Sequence, residues 1–454
     1  MKNIKLVITG IILSIFTLLS SQEYGDIIEV ELLSNMTQQQ AQFQLNAIFG
    51  SLAPTAEYDI SVYRVEYHTV DPQGEPTIAS GSIAFPQDSQ TAFPLLSYQH
   101  GTEVLRDEVS SVYGFDAMNL WLSSAGYITV SADYLGMGIS EMLHPYIINI
   151  PTAAAVAHLL VASKSFCDEM DDLQYNDQLF LMGYSEGGYA TMSAHKYLEE
   201  NYAEELPVTL STPMAGPYDL SGITLETILS GIEYGQPYYV AYILLAYIEH
   251  YQMGEWNEFF TDYYASLLPG LFDGSHPSWQ INSYLPSTPL DILRPEVLDE
   301  LINDDNHIFR TLMEQNDIYD WYPESPIYLF HGLGDELVPP ENSQTAYDVL
   351  LANGAEIYLQ FFPSSLGGHG EVALFCIMAA SGAIYDNMHF NYHGDINSDL
   401  VVDVLDIVLM VQYILGSDGF ESYELWASDI NSDGIIDVLD IVQIINVILY
   451  EDAE

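Results

Sequence analysis

Short apolar runs alternate with longer segments of helical periodicity between residues 94 and 362. The apolar runs predict strands at Pro94–Gln99, Tyr127–Ala132, Leu179–Met182, Val208–Met214, Pro326–Phe330 and Glu356–Phe362. The segments between them predict helices at Phe115–Ser124, Pro151–Met170, Tyr189–Asn201 and Pro340–Ala352. Strands that alternate with helices predict an α/β fold with a mostly parallel sheet covered on both faces.

Three other segments depart from this alternation. A β-hairpin is predicted where Ile60–Val70 and Thr77–Phe85 alternate polar and apolar residues around a turn. The acidic, Gln-rich residues 22–55 predict one short helix at Met36–Phe49. Residues 218–322 are Tyr-rich, proline-interrupted and helical by pattern, which predicts a helical cap or lid inserted between two strands. The alternative is a helical subdomain that only packs its tyrosine rings.

The strongest signal for chemistry lies in residues 178–190. The strand predicted at Leu179–Met182 meets Gly-Tyr-Ser-Glu-Gly at positions 183–187, and a predicted helix follows. In that context G-x-S-x-G forms a sharp turn, because its small residues let the strand and the helix approach closely. Ser185 is therefore predicted to be a nucleophile beside a helix N-terminus. A glycine-serine turn without chemistry is the alternative.

A serine nucleophile needs a base, and the base needs an orienting group. Asp335 follows the strand Pro326–Phe330 in a glycine-bearing loop, and His369 lies among glycines after the next strand. This chain order predicts His369 as the general base and Asp335 as the group that holds its tautomer. Of the neighbouring candidates, we expect His331 to bond the backbone and Glu336 to point away from Asp335.

The tetrahedral intermediate of such a reaction needs donors for its negative oxygen. The backbone N–H of Glu186, directly after the nucleophile, is the first predicted donor. The second is predicted after the first strand, at Thr102 with Gly101 as the alternate, because a glycine lets the backbone turn its N–H groups inward.

With these motifs, residues 56–390 resemble an α/β-hydrolase, and most closely the secreted lipases and esterases with a large helical lid. The resemblance implies hydrolysis of carboxylic esters, either lipids or other acyl esters, through an acyl-enzyme and without a catalytic cofactor. Two alternatives stay open. The same fold serves peptidases of the prolyl-oligopeptidase type, and the domain could be inert within an adhesion or scaffold protein.

The C-terminal end of the chain repeats itself, so that Asp395 corresponds to Asp429. In each repeat, oxygen-bearing side chains occupy loop positions one, three, five, nine and twelve, and a backbone carbonyl is expected at position seven. This spacing is typical of a calcium loop. The predicted ligands are Asp395, Asn397, Asp399, Val401, Asp403 and Asp406 in the first loop, and Asp429, Asn431, Asp433, Ile435, Asp437 and Asp440 in the second.

The paired loops, each followed by an apolar helix (Val404–Leu415 and Val438–Leu449), resemble a type I dockerin, a small all-α, EF-hand-like domain. The resemblance implies two structural calcium ions and a cohesin or another surface docking protein as partner. Two features depart from the family. Leu400 replaces the usual glycine at loop position six, which predicts a weaker or strained first site. Apolar pairs at 404–405 and 438–439 replace the hydroxyl and basic residues that usually contact cohesins, so the docking partner stays open.

Charge and targeting signals complete the picture. The net charge of −57, from 65 acidic and 8 basic residues, disfavours nucleic acid or anionic lipid as partner and indicates a saline medium or bound cations. Residues 1–21 have a positive start, an apolar run and small final residues, which predicts a signal peptide and a secreted or cell-surface-attached protein without a transmembrane anchor. A signal-anchor is the alternative. The predicted domains are 22–391, with the insertion at 218–322, and 392–454. Cys167 and Cys376 are either paired or buried as free thiols.

Overall fold

The computed structural model describes residues 24–170, 173–416 and 419–451, so the predicted signal peptide at 1–21 lies outside the described residues. Within these ranges one sheet contains ten strands. They are β1 (Ile27–Met36), β2 (Ile60–Val70), β3 (Pro76–Pro86), β4 (Thr91–Gln99), β5 (Ile128–Ala132), β6 (Gln174–Tyr184), β7 (Leu210–Met214), β8 (Ile327–Gly332), β9 (Ile357–Phe362) and β10 (Asn391–Tyr392).

The strand order is β1-β2-β3-β5-β4-β6-β7-β8-β9, and β10 pairs with β4. The strands from β5 to β9 in this order run parallel, whereas β1, β2 and β3 add an antiparallel edge, which includes the predicted hairpin. The carboxyl ends of β6, β8 and β9 therefore meet at one edge of the sheet, where a crevice for ligands is expected.

Helices cover both faces of the sheet and fill the insertion. Before the insertion they are α1 (Gln38–Phe49), α2 (Ser110–Tyr113), α3 (Ala117–Ser124), α4 (Asn149–Glu169) and α5 (Glu186–Asn201). The insertion contains α6 (Leu225–Leu229), α7 (Pro237–His250), α8 (Trp256–Phe259), α9 (Asp262–Leu271), α10 (Ser278–Tyr284), α11 (Pro295–Asn303) and α12 (Ile308–Gln315). After it come α13 (Glu341–Asn353), α14 (His369–Tyr385), α15 (Val404–Ile414), α16 (Ser422–Ser428) and α17 (Val438–Glu451).

The strand β1 was not predicted from the sequence. Most of its residues are half-buried or exposed, and two irregularities interrupt its antiparallel pairing with β2. An edge strand of this kind buries neither face consistently, so it has no clear alternation of polar and apolar residues. The predicted helix after it begins two residues later than expected, at Gln38, because the Thr37 side chain accepts a hydrogen bond from Gln40 N and caps the helix.

The helical insertion packs directly on the α/β core rather than standing apart from it. Tyr242 in α7 stacks on Tyr146 with ring centroids 4.6 Å apart, and the hydroxyl of Tyr247 donates to the carbonyl of Ile147. Tyr242 and Tyr247 are buried, so the tyrosines of α7 anchor the insertion through their rings and hydroxyls.

The structure answers whether the two cysteines pair. Cys167 and Cys376 are both buried free thiols, and burial raises the pKa of each.

Within the described residues, α4 is the one helix long and apolar enough to cross a membrane, but 78% of its apolar window is buried inside the protein. It is a core helix of the α/β layer.

The C-terminal module has its own small core, formed by Ile396, Met410, Ala427 and Ile444. It also contacts the ten-stranded sheet, because β10 pairs with β4 and the indole N–H of Trp426 donates to the carbonyl of Ser89.

Candidate active site

Ser185 lies at the sharp turn between β6 and α5, with φ 64° and ψ −121°. Non-glycine residues rarely adopt a positive φ, and such strain persists only where the surroundings impose it. The surroundings are tight: a Cβ on Gly183 would lie 2.3 Å from the carbonyl oxygen of Gly187, and one on Gly187 would lie 2.1 Å from that of Gln99. Only glycine fits at these two positions, so the G-x-S-x-G spacing follows from the geometry of the turn.

The three side chains predicted to act together lie in hydrogen-bond contact. Nε2 of His369 is 2.8 Å from Oγ of Ser185, and Nδ1 of His369 is 2.5 Å from Oδ2 of Asp335. All three residues are buried, although they come from the ends of β6, β8 and β9. In this arrangement the imidazole can take the serine proton through Nε2 while the carboxylate holds Nδ1–H.

The Asp335 carboxylate is saturated with donors. Its Oδ1 accepts from the N–H groups of Leu337 and Val338, and its Oδ2 accepts from His369 and lies 3.2 Å from Nε2 of His331. Burial alone would raise its pKa, but the hydrogen bonds from the two histidines outweigh burial and hold the pKa of Asp335 well below its usual range. Asp335 is therefore ionised at neutral pH.

The histidine beside the acid behaves partly as predicted. Nε2 of His331 is 2.9 Å from the carbonyl oxygen of Val338, as expected, and Nδ1 is 2.7 Å from the hydroxyl of Ser343. The contact between His331 and Asp335 was missed, and it gives His331 a structural role in holding the carboxylate.

Two further residues fix His369 and were missed from the sequence. The hydroxyl of Tyr184 donates to the carbonyl of His369 at 2.6 Å. Glu336, which we expected to point away from Asp335, accepts through its Oε2 from the backbone N–H of His369, the first residue of α14. A carboxylate at a helix N-terminus is favourable, so Glu336 anchors the loop that carries the imidazole.

The loop predicted to supply the second oxyanion donor lies against the nucleophile turn. A Cβ on Gly101 would lie 3.6 Å from the carbonyl oxygen of Tyr184, and the backbone of Gly187 packs on that of Gln99 and His100. The Thr102 hydroxyl is 2.9 Å from that of Tyr146. The roles of the Glu186, Thr102 and Gly101 N–H groups stay predictions.

A largely apolar cavity opens beside Ser185, with about 520 Å³ of empty volume including its mouth. Ser185 and Glu186 lie in its wall, and most of the remaining wall comes from the insertion and from residues 337–339. A second, small apolar cavity lies within the insertion. The two cavities share Ile228, Val240 and Ile243 as lining residues.

The two loops of the C-terminal module have nearly the same internal hydrogen bonds. Asp395 accepts from the N–H groups of residues 399 and 400, as Asp429 does from those of 433 and 434. Asp406 accepts from the N–H of Asp403, as Asp440 does from that of residue 437. Leu400 has φ 70°, so it occupies the left-handed conformation that favours glycine, in agreement with the predicted strain.

The donor chemistry of the two loops bears on calcium. Among the described residues, no three His, Cys, Asp or Glu side chains converge as a metal cluster, and Asp406 accepts hydrogen bonds from backbone N–H groups. The predicted donors are nevertheless all oxygens, Asp395, Asp406 and Asp440 are buried, and residues 392–454 contain no Lys or Arg. This donor set fits a hard cation such as calcium.

Comparison with known proteins agrees with the predictions for both the α/β domain and the C-terminal module. Residues 393–449 match the dockerin type I domain family, whose members generally bind calcium and cohesins. No curated protein matches the chain.

Three solved structures illustrate the similarity of the hydrolase part. A Legionella pneumophila protein described as a hydrolase has a TM-score of 0.73 and 27% identity, over 79% of this chain and 97% of that one. The rice cell wall degrading esterase LipA from Xanthomonas oryzae has a TM-score of 0.70 and 25% identity, over 80% and 97%. Candida antarctica lipase A, at 17% identity and a TM-score of 0.58 over 81% and 83%, shares the fold. The predicted α/β-hydrolase fold, lipase- and esterase-like, and the C-terminal dockerin are confirmed.

Proposed function

We propose that this α/β-hydrolase with a C-terminal dockerin type I domain is a secreted serine hydrolase that cleaves carboxylic esters. The observation that carries the proposal is the unbroken chain of contacts from Ser185 through His369 to Asp335. Similarity to esterases and lipases supports a hydrolase of this fold, and the finer assignment to esters is our proposal. Secretion rests on the predicted signal peptide and on the extracellular occurrence of dockerin modules.

The proposed reaction proceeds through an acyl-enzyme. His369 takes the proton of Ser185 as the oxygen attacks the ester carbonyl, and the N–H groups of Glu186 and Thr102 stabilise the resulting negative oxygen. The imidazolium then protonates the departing alcohol, and water hydrolyses the acyl-enzyme by the same steps. Asp335 stays ionised throughout and holds the imidazole in the required tautomer.

The C-terminal module is proposed to bind two calcium ions, one in each loop. The ligands would be Asp395, Asn397, Asp399, Val401, Asp403 and Asp406, and Asp429, Asn431, Asp433, Ile435, Asp437 and Asp440. Calcium would neutralise their carboxylates and hold the loops, with no part in ester hydrolysis. The fused module would attach the enzyme to a cohesin or another surface protein.

The apolar cavity supports a neutral, apolar acyl group as the preferred substrate part. We expect wild-type protein to hydrolyse p-nitrophenyl esters and to prefer chains long enough to fill the cavity. Ile243 lines both cavities, so the larger side chain of Ile243→Phe should leave less space for a long acyl chain. We expect kcat/KM to fall by about tenfold for a twelve-carbon acyl chain and to stay nearly unchanged for a four-carbon chain. Steady-state kinetics across an acyl-chain series measures both effects.

The same assay separates the alternative functions. Prolyl and aminoacyl p-nitroanilides are tested in parallel, and cleavage of these amides without cleavage of any ester would replace the proposed function by a peptidase. A uniform loss across the acyl-chain series in Ile243→Phe, with an unchanged melting temperature, would contradict the role of the cavity.

A further inference from the structure

The Glu186 side chain, next to the nucleophile in the chain, lies in a buried pair with His144. Oε1 of Glu186 is 2.7 Å from Nε2 of His144, and the two side chains are 2% and 1% exposed. Oε2 of Glu186 has no hydrogen-bond partner among the residues that the structure describes. A buried carboxyl with one oxygen that has no hydrogen-bond partner costs folding free energy. A role other than stabilising the fold is therefore expected for this pair.

The contacts of His144 define the charge of this pair. Nδ1 of His144 is 2.7 Å from the carbonyl oxygen of Leu135, which can only accept, so Nδ1 carries a hydrogen. The 2.7 Å contact between Nε2 and Oε1 then needs one more proton, held on either side. In both forms the pair has no net charge, and it therefore does not oppose negative charge that develops nearby.

The pair connects two parts of the chain that form the site. His144 lies between β5 and α4, and Glu186 is the first residue of α5. A Cβ on Gly136 would lie 2.5 Å from the backbone N of His144, so the loop that carries His144 is closely packed. The rings of Tyr134 and Tyr242 pack against the imidazole, with centroids 5.8 and 5.7 Å away.

The beginning of α5 has few other side chains that could hold it. The residues after Glu186 are Gly187 and Gly188, which have no side chain, so this stretch is held by backbone packing alone. Ser185 before them is held at a strained φ of 64°. The side chain of Glu186 is thus the only side-chain anchor among the first three residues of α5, and its own N–H is one of the free amides of the helix N-terminus.

We infer that the His144–Glu186 pair is a positioning element for the oxyanion-binding N–H of Glu186. It fixes the first residue of α5 from a separate loop and itself adds no net charge beside that N–H. The inference rests on the proposed function, since the N–H of Glu186 has this role only in a serine hydrolase. His144 and the Glu186 carboxyl act through the backbone and touch no reacting atom.

Kinetics of matched variants test this inference. His144→Phe and Glu186→Leu should each lower kcat for a p-nitrophenyl ester by about 10- to 100-fold with KM within about threefold, because loss or misplacement of one oxyanion donor costs that much or more. Glu186→Gln should stay within about fivefold of wild type, because its amide N–H can donate to Nε2 of His144. Rescue by glutamine distinguishes positioning from a need for charge.

The control is the other His–Glu pair of α5. Nε2 of His195 lies 2.9 Å from Oε1 of Glu199, farther along the same helix, and His195 is fully buried whereas Glu199 is partly buried. His195→Phe should lower the melting temperature and leave kcat unchanged. An equal loss of kcat in His195→Phe, an effect of His144→Phe on KM alone, or kcat of His144→Phe and Glu186→Leu within threefold of wild type would overturn the inference.

The proposed function is judged separately in the same experiment. If Ser185→Ala is inactive while His144→Phe and Glu186→Leu keep full kcat, only the positioning role fails. If Ser185→Ala stays active, the proposed function fails first. Should His144→Phe not fold, the comparison of Glu186→Gln with Glu186→Leu decides.

Discussion

Ser185→Ala is expected to lower kcat for p-nitrophenyl ester hydrolysis by at least about 10⁴-fold, because no other nucleophile can form the acyl-enzyme. The hydroxyl is hydrogen-bonded to His369, so its removal should leave the fold and the melting temperature nearly unchanged. Steady-state kinetics and thermal unfolding of the purified variant measure both quantities. Ser165→Ala, at an exposed serine of α4, is the matched control and should keep full activity.

Ser185→Gly tests the backbone strain at Ser185 as well as its role in activity. Glycine adopts a positive φ without steric cost, so this variant should be as inactive as alanine yet up to about 1 kcal/mol more stable than it. Activity that survives in either variant would contradict the role of Ser185. Lower stability of the glycine variant would contradict the strained turn.

Calcium removal is expected to have the largest effect on structure. With calcium, calorimetry should show a folded C-terminal module; with a chelator, residues 392–454 should unfold at a much lower temperature, because their acidic loops contain no Lys or Arg to offset the repulsion. The hydrolase domain should stay folded, and hydrolysis of a soluble ester should continue.

The control separates specific binding from screening. At a net charge of −57, any added salt stabilises the chain to some extent, so magnesium and sodium chloride are compared with calcium at equal ionic strength. Asp406→Asn and Asp440→Asn, at the buried twelfth position of each loop, should weaken the calcium-dependent transition. A transition that is absent, or equal with all three salts, would contradict the calcium sites.

The sequence predicted the parallel core and the convergence of Ser185, Asp335 and His369 because their signals are local. A strand, a sharp turn and a helix surround Ser185 within about a dozen residues, and Asp335 and His369 each follow an apolar strand. The order of parallel strands then brings their carboxyl ends together. No long-range information was needed for these predictions.

One missed feature depends on a contact between distant segments. Glu186 and His144 are separated by 42 positions, and neither has a neighbour in the chain that indicates the other. The strand β1 escaped prediction because it lies at the sheet edge with mostly exposed or half-buried residues. The contact between His331 and Asp335 was missed although the two residues are only four positions apart. Whether their side chains meet depends on how the tight loop after β8 folds back.

Covalent labelling directly tests whether His369 activates the hydroxyl of Ser185. The purified protein is treated with a fluorophosphonate, which reacts with an activated serine, and the modified peptide is identified by mass spectrometry, with His369→Ala as the control. One adduct is expected, on Ser185, formed quickly in the wild type and very slowly when His369 is replaced. No adduct on Ser185, or equal labelling in both proteins, would contradict it.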